Sequence, residues 1–540
     1  MATAPHPAIE VRGRAASPGL ALGPLVVLAE VSNVRRAKAE PDAEAADLSS
    51  ALEAVAAELT RLAAAAGAEG AHILEVQIAM LDDAALKDPA LTAIAQGAAA
   101  DTAWADVLDE QIRDFEDAAD EYFRARASDL RDVRDRVLRR LRGAGGGSAI
   151  TPGAIVAATD LPPSRFLELD WSAGGGIALS AGSPTSHVAM LARARGVAMV
   201  VGLGPIDFRG HREAAVDGDA GRLLLSPGSD IKRACHEQRE TEAHRRREEA
   251  GFLSRPAVTR DGRRVSVLVN VSDAAELASF DRTCCDGIGL VRTEFLFSSD
   301  AGLPDEERQL TAYRQLLAWA GDRPVTIRTL DAGGDKPIPG LTHDAESNPF
   351  LGVRGIRLSL ARPEIFRVQL RALARAAIDG NLKVMLPMVT VPWELEKVRR
   401  LLDHVINELA GEGLEARRPP LGMMVEVPAA AVAIQHFDAD FFSIGTNDLV
   451  QYVTASARDI GAVADLADPA HPAVLTLIEA VVREGGRRGV EVSLCGDIAG
   501  DPKYIPGLLG CGLSVLSVAA PALARTKAAI AGFRAAVPGR

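Results

Sequence analysis

The stretch GIGLVRTEFLF, residues 287–297, sets a short apolar run, GIGLV (287–291), directly against Arg292 and Glu294. A short apolar run bounded by glycine reads as a strand. The same rhythm runs on after residue 255. VSVLVNV (265–271), VTIRT (325–329), LGVRGI (351–356), KVMLPMV (383–389), GMMVEV (422–427), FFSIG (441–445) and VEVSLCG (490–496) alternate with helical stretches. With GIGLV they make eight strands separated by helices, which predicts a (β/α)8 barrel of the TIM type over residues 255–540. LGVRGI, the fourth, has the weakest strand pattern of the set.

Barrel enzymes place their chemistry at the C-terminal ends of the strands. On this reading Arg292 and Glu294 follow the second strand, and Arg328 and Asp331 close the third. Arg354 lies at the fourth, Glu426 ends the sixth, Asn447 and Asp448 follow the seventh, and Cys495 ends the eighth. Any one of them alone is as well explained by a structural ion pair; together they fall on one rim. Three arginines offer planar forks for phosphate and carboxylate oxygens. Glu426 and Asp448 supply hard oxygen ligands, few enough to leave room for water and substrate, which is a magnesium pattern. A cysteine facing such a rim can act as nucleophile or proton donor. The rim therefore reads as a site for a small phosphorylated acid with Mg2+.

The first half of the chain has another character. Residues 1–34 and 143–227 carry short strand-like runs and read as one α/β domain. Between them, residues 35–142 show apolar stripes at helical spacing: Leu52, Val55, Leu59, Leu62; Trp104, Leu108, Ile112, Phe115; Leu130, Val133, Val137, Leu141. These predict a helical insert. Residues 228–254, which include EAHRRREEA, read as a solvated linker helix. In SPTSHVAML (183–191), His187 sits behind Thr185 and Ser186 and ahead of a helical run. A lone histidine there is most simply a packing or capping residue; its rank depends on the rest of the chain.

The bulk numbers narrow the choice. With 540 residues, 48% apolar and 25% charged, the chain is a multidomain globular protein. The net charge of −13 argues against nucleic acid as the main partner. Five cysteines without a CxxC pair fit a reducing compartment rather than a disulfide framework, and Cys284–Cys285 read as packing. No run of 18 apolar residues and no signal-like leader predicts a membrane span or export.

With these residues in view, the chain resembles enzyme I of the phosphoenolpyruvate-dependent phosphotransferase system. AASPGLALG (15–23), ILEVQIAMLDD (73–83), ASDLRDVRDRVLRRL (127–141), TSHVAMLARARGV (185–197), GIGLVRTEFLF (287–297), TIRTLDAGGDKP (326–337), NPFLGVRGIR (348–357), VEVPAA (425–430), FFSIGTNDLVQY (441–452) and LCGDIAGD (494–501) carry the likeness in order. The resemblance implies that His187 takes the phosphoryl group of phosphoenolpyruvate and passes it to a histidine of a carrier protein, HPr. Pyruvate is released, as the first step of sugar phosphotransfer or of a related regulatory relay. It implies that Arg292, Arg328 and Arg354 hold the phosphate, that Asn447 and Arg458 hold the carboxylate, that Glu426 and Asp448 bind Mg2+, and that Cys495 protonates the enolate. It further implies an HPr-docking role for the helical insert, a cytoplasmic homodimer joined through the barrel, and a histidine domain that swings. At a helix N-terminus, unpaired N–H groups and the dipole favour the charge of a phosphorylated imidazole.

Three positions depart from the family: Ser183 where a glycine is usual, Pro184, and Gln77 where many relatives have a histidine. No sensor domain is expected before residue 15 and no fused carrier at either end. Dikinases and phosphoenolpyruvate synthases share the two halves but need an ATP-binding module for which this chain has no room. A barrel lyase or aldolase leaves the first 250 residues unexplained, and a purely regulatory phosphoprotein has no need of the whole rim.

Overall fold

A computed structural model describes residues 8–28, 39–65, 68–116, 121–143, 150–184, 186–272, 274–277, 280–297, 303–334, 338, 340–342, 346, 348–457, 463 and 466–534. The chain forms two compact units, residues 1–242 and 243–540.

The first unit opens with β1 (Ile9–Arg12), β2 (Arg14–Ser17) and β3 (Leu20–Val27). Five helices follow: α1 (Pro41–Ala65), α2 (Ala68–Asp82), α3 (Ala84–Ala95), α4 (Ala100–Glu116) and α5 (Glu121–Leu141). Then come β4 (Ile155–Ala158), α6 (Pro163–Glu168), β5 (Gly176–Leu179), α7 (His187–Arg195), β6 (Ala198–Val201), β7 (Glu213–Asp217), β8 (Arg222–Leu225) and α8 (Ser229–Ala250), which runs past the boundary between the units. The strands form one sheet in the order β1-β8-β7-β3-β4-β5-β6-β2. β3 to β6 are parallel neighbours, so the five helices sit in the connection between two adjacent strands, β3 and β4.

Strand periodicity divides the core. Ile177, Leu179, Met199 and Val201 face one way and pack with Phe166 of α6 and Val188 and Leu191 of α7. Ala178, Ala198 and Val200 face the other way, with Val216, Leu223 and Leu225. The helices have their own core, in which Leu52, Val55, Leu59, Trp104, Leu108, Ile112, Leu130, Val133 and Val137 are buried. Each fully buried Leu or Val contributes roughly 1.5–3 kcal/mol.

Arg136 of α5 ties the helices to α6. It donates to Ser164 Oγ at 2.8 and 2.9 Å, to Glu58 at 2.8 Å, and to Glu168. Gln77 is fully buried beside this network and donates to Asp132 at 3.0 Å. Position 77 therefore lies in the interior of the helical part and not on its surface.

The second unit is a closed barrel of eight parallel strands. They are β9 (Ser266–Val271), β10 (Ile288–Arg292), β11 (Val325–Arg328), β12 (Leu382–Leu386), β13 (Leu421–Val425), β14 (Phe441–Ile444), β15 (Glu491–Leu494) and β16 (Val515–Ala519), with β16 paired back to β9. Between and after them lie α9 (Glu306–Ala320), α10 (Ile356–Ala361), α11 (Pro363–Ala376), α12 (Pro392–Gly411), α13 (Pro428–Val432), α14 (Thr446–Thr454), α15 (Pro472–Arg488), α16 (Ile505–Gly510) and α17 (Leu523–Gly532).

Two strand assignments change. LGVRGI is not a strand: Gly355 turns the chain at φ +58°, α10 begins at Ile356, and Leu351 is exposed. The barrel is instead closed by VLSVA (515–519), whose apolar run is broken by Ser517. That hydroxyl faces inward and donates to Asn270 at 2.5 Å. The expected sixth, seventh and eighth strands thus become the fifth, sixth and seventh of the barrel, but their C-terminal ends keep the same residues.

Candidate functional site

His187 is the first residue of α7. Ser186 caps the helix, its Oγ accepting from the amide of Ala189 at 3.4 Å, and Gly196 ends it in the left-handed conformation at φ 66°. The preceding loop is pinned from below. Arg14 donates to the Gly182 carbonyl at 3.1 Å, and Arg193 donates to Ala16 at 2.5 Å and Pro184 at 2.9 Å. The imidazole is half-buried. Thr185 lies outside the described residues.

The barrel rim is built from the ends of β10 to β15. Arg328 closes β11, is 5% exposed, and donates to Glu294 at 2.9 Å while pairing with Asp331 at 2.9 Å. Burial works against its charge, but Glu294 and Asp331 hold it firmly protonated. Arg354, on the loop after β11, pairs with Asp331 at 3.0 Å and with Asp448 at 3.2 Å. Asp331 thus bridges the two guanidiniums. Arg292 sits half-buried at the end of β10.

Glu426 follows β13 and is 1% exposed. It accepts from the Met388 amide at 2.6 Å. Met388 holds a left-handed backbone, φ 58°, which costs a non-glycine residue about 1–2 kcal/mol and here aims that amide at the carboxylate. Burial, then the charges of Asp448 and Asp331, push the Glu426 carboxyl up to about 8. Gly445 leaves the carboxylate open: a Cβ there would lie 3.0 Å from Glu426 Oε2.

Asp448 lies in the first turn of α14, with Asn447 beside it exchanging two hydrogen bonds with Asp497, each 3.0 Å. Cys495 follows β15, is 3% exposed, and packs among Leu290, Met385, Met424 and Phe441. Burial raises its thiol pKa, with Ser443, Arg328 and Arg292 pulling the other way, so it stays protonated at neutral pH. Arg458 lies outside the described residues.

The rim also holds polar atoms that the protein leaves open. Among the described residues, Arg328 Nε, Glu294 Oε2 and Thr446 Oγ1 are buried without a hydrogen-bond partner. Unmet buried groups at the mouth of a barrel are capacity for a ligand. A divalent ion fits this donor set. Glu426 and Asp448 would offer it hard oxygens, and burial, then neighbouring negative charge, disfavours the ionised form of Glu426 until a cation arrives. No group of three or more His, Cys, Asp or Glu side chains is placed to hold a metal among the described residues. A pair of carboxylates leaves the other positions to water and substrate.

The sequence reading missed Tyr452 and Asn270. Tyr452 accepts from Arg354 at 3.4 Å and donates to the Phe350 carbonyl at 2.6 Å. Asn270 donates to the Cys495 carbonyl at 3.1 Å. Tyr452 was within reach of the pattern, because it stands four residues after Asp448 and so shares its helix face. Asn270, a polar residue in a mostly apolar strand, gave no comparable signal.

Three family profiles match in order: the N-terminal domain of PEP-utilising enzymes over residues 12–126, their mobile domain over 150–221, and their PEP-binding domain over 246–535. The chain is 35% identical to a phosphoenolpyruvate-protein phosphotransferase of Priestia megaterium and 36% identical to one of Staphylococcus carnosus. Each alignment covers 96% of this chain and 93% of the relative. It is 38% identical to a multiphosphoryl transfer protein of Rhodobacter capsulatus, of whose length it spans 63%. No helix among the described residues is long and apolar enough to cross a membrane. The chain belongs to the PEP-utilising enzymes, in the family of phosphoenolpyruvate-protein phosphotransferases.

Proposed function

We propose that the protein moves the phosphoryl group of phosphoenolpyruvate to His187 and then to a histidine of an HPr-type carrier protein. The observation that carries this reading is the convergence of Arg328, Arg354, Glu426, Asp448 and Cys495 on one barrel rim. That set can grip a doubly anionic substrate and protonate what remains after transfer.

The P–O bond of phosphoenolpyruvate breaks as an N–P bond forms on a ring nitrogen of His187. Arg292, Arg328 and Arg354 bind the phosphate oxygens with forked, charge-assisted hydrogen bonds. Asn447 and Arg458 hold the carboxylate. Glu426 and Asp448 would hold a divalent ion, Mg2+ on this reading, which would supply positive charge against the substrate oxygens. The Cys495 thiol gives its proton to the enolate carbon, yielding pyruvate, and is reprotonated from solvent. On α7, the positive end of the helix dipole beside the Ser186 cap stabilises the charged phosphoimidazole.

His187 must meet a donor and a carrier in turn. We infer a swinging movement on the 228–254 segment, with residues 1–34 and 143–227 as the moving domain. Residues 35–142 form the carrier-docking part, and the 255–540 barrel forms the donor part and dimer interface of a cytoplasmic enzyme. The test is stoichiometric. Phosphoenolpyruvate, Mg2+ and HPr should give one pyruvate per phosphorylated carrier. Pyruvate release without carrier phosphorylation would refute the relay, and ATP should not replace phosphoenolpyruvate.

A further inference from the structure

Arg354 is 2% exposed and touches two carboxylates at once. It donates to Asp331 from Nη2 at 3.0 Å and from Nε at 3.4 Å. It donates to Asp448 from Nη1 at 3.2 Å and from Nη2 at 3.4 Å, so that both oxygens of Asp448 face the guanidinium. Its other near neighbours include the Phe350 ring, whose centroid lies 6.0 Å from the guanidinium carbon, and the Tyr452 hydroxyl, 3.4 Å from Nη1.

A second cation on Asp448 must share the oxygens that Arg354 already uses. Two positive groups on one buried carboxylate repel strongly, because little water screens them. Asp331 offers Arg354 a second carboxylate on which to stay. We propose that Arg354 is a built-in counter-ion for Asp448: an incoming divalent cation displaces it, and the displacement turns its free N–H groups toward the substrate's phosphate while Asp331 keeps hold. The inference rests on the reading of Asp448 as a metal ligand. It assigns Arg354 a role before substrate arrives, that of keeping the ion's affinity low until phosphate is there to receive the arginine. By linkage, phosphate then raises the affinity for the ion as much as the ion raises that for phosphate.

A bridging ion alone would also give positive coupling, so the decisive measurement omits substrate. Mn2+ binding to the full-length protein is measured by electron paramagnetic resonance without phosphoenolpyruvate, in wild type, Arg354→Gln, Arg354→Lys and Asp448→Asn. The proposal predicts that Arg354→Gln binds Mn2+ more tightly by about tenfold or more, since a like charge is removed from the ligand. Arg354→Lys, which keeps the charge, should gain less. Asp448→Asn should lose most binding. If Asp448→Asn binds as well as wild type, the metal reading itself fails. If Asp448→Asn loses the ion but Arg354→Gln binds it no better than wild type, the metal reading stands and the counter-ion role is overturned.

Should Arg354→Gln not fold, the unmodified protein carries a second readout. Movement of Arg354 away from the Tyr452 hydroxyl should give a tyrosine difference absorption on Mg2+ titration that Tyr452→Phe abolishes. Saturable Mg2+ binding without that signal would overturn the proposal.

Discussion

In the proposed relay, the start of α7 and the rim of the barrel would handle the same phosphoryl group in opposite ways. At α7, one half-buried imidazole stands on a capped helix end, and the arginines nearby hold backbone carbonyls rather than the histidine. At the rim, Arg328, Arg354, Glu426 and Asp448 are buried and tied to one another through Asp331 or through close charge. The difference teaches what each end of a transfer needs. A group that must meet two partners has to be accessible and lightly held. A site that must recognise one small anion and direct its chemistry does better with its charges gathered, buried and paired in advance.

The contrast breaks most visibly if the two are separated. Residues 1–250 contain their own helical and sheet cores and should fold alone. The fragment should accept a phosphoryl group from phosphorylated HPr and none from phosphoenolpyruvate, an all-or-none difference. Direct labelling by phosphoenolpyruvate would put the donor site in the wrong unit. Within the rim, Cys495→Ala should still bind phosphoenolpyruvate but lose roughly 10²- to 10⁴-fold in pyruvate formation, the usual worth of a positioned acid. Unchanged turnover would make Cys495 a packing residue.

Asp331→Asn should act through the two arginines it bridges. Loosening them misplaces the phosphate, and displacement on the ångström scale costs up to about 10²-fold in kcat/KM. An unaltered kcat/KM would show that Arg328 and Arg354 are held without it.

The smallest effect lies in the helical part. Burial holds the Asp132 carboxyl above its ordinary range, although Arg136 pulls it down. The folded unit therefore binds this proton more tightly than the unfolded chain. The stability that the proton confers is complete below the unfolded pKa and lost as pH rises through the folded one. Asp132→Asn mimics the protonated form and should raise the melting temperature of the N-terminal unit at pH 7. The gain should disappear toward pH 3, and equal melting at pH 7 would contradict the assignment.

Much of this was legible in the chain. Apolar runs followed by Arg292, Arg328, Glu426 and Asp448 announced strands with charged residues at their C-terminal ends, and helical spacing marked the insert. LGVRGI misled because Leu351 and Val353 stand at strand spacing, whereas Gly355 turns the chain and α10 begins at Ile356. VLSVA hid because Ser517 spoils its apolar pattern, although its hydroxyl is satisfied by Asn270 inside the barrel. The pairing of Arg354 with Asp448 was not readable: 94 positions separate them, and only the closed barrel brings them together. The left-handed Met388 that aims an amide at Glu426 left no mark in the sequence either, since methionine seldom adopts that backbone.

The central claim is that the phosphoryl group rests on His187. Incubation with labelled phosphoenolpyruvate and Mg2+, followed by peptide mapping, tests it directly in wild type and in His187→Ala. The account predicts one label per chain, stable in alkali and lost in acid, on the peptide that contains His187, and no label in the variant. Label of undiminished intensity in His187→Ala would contradict it.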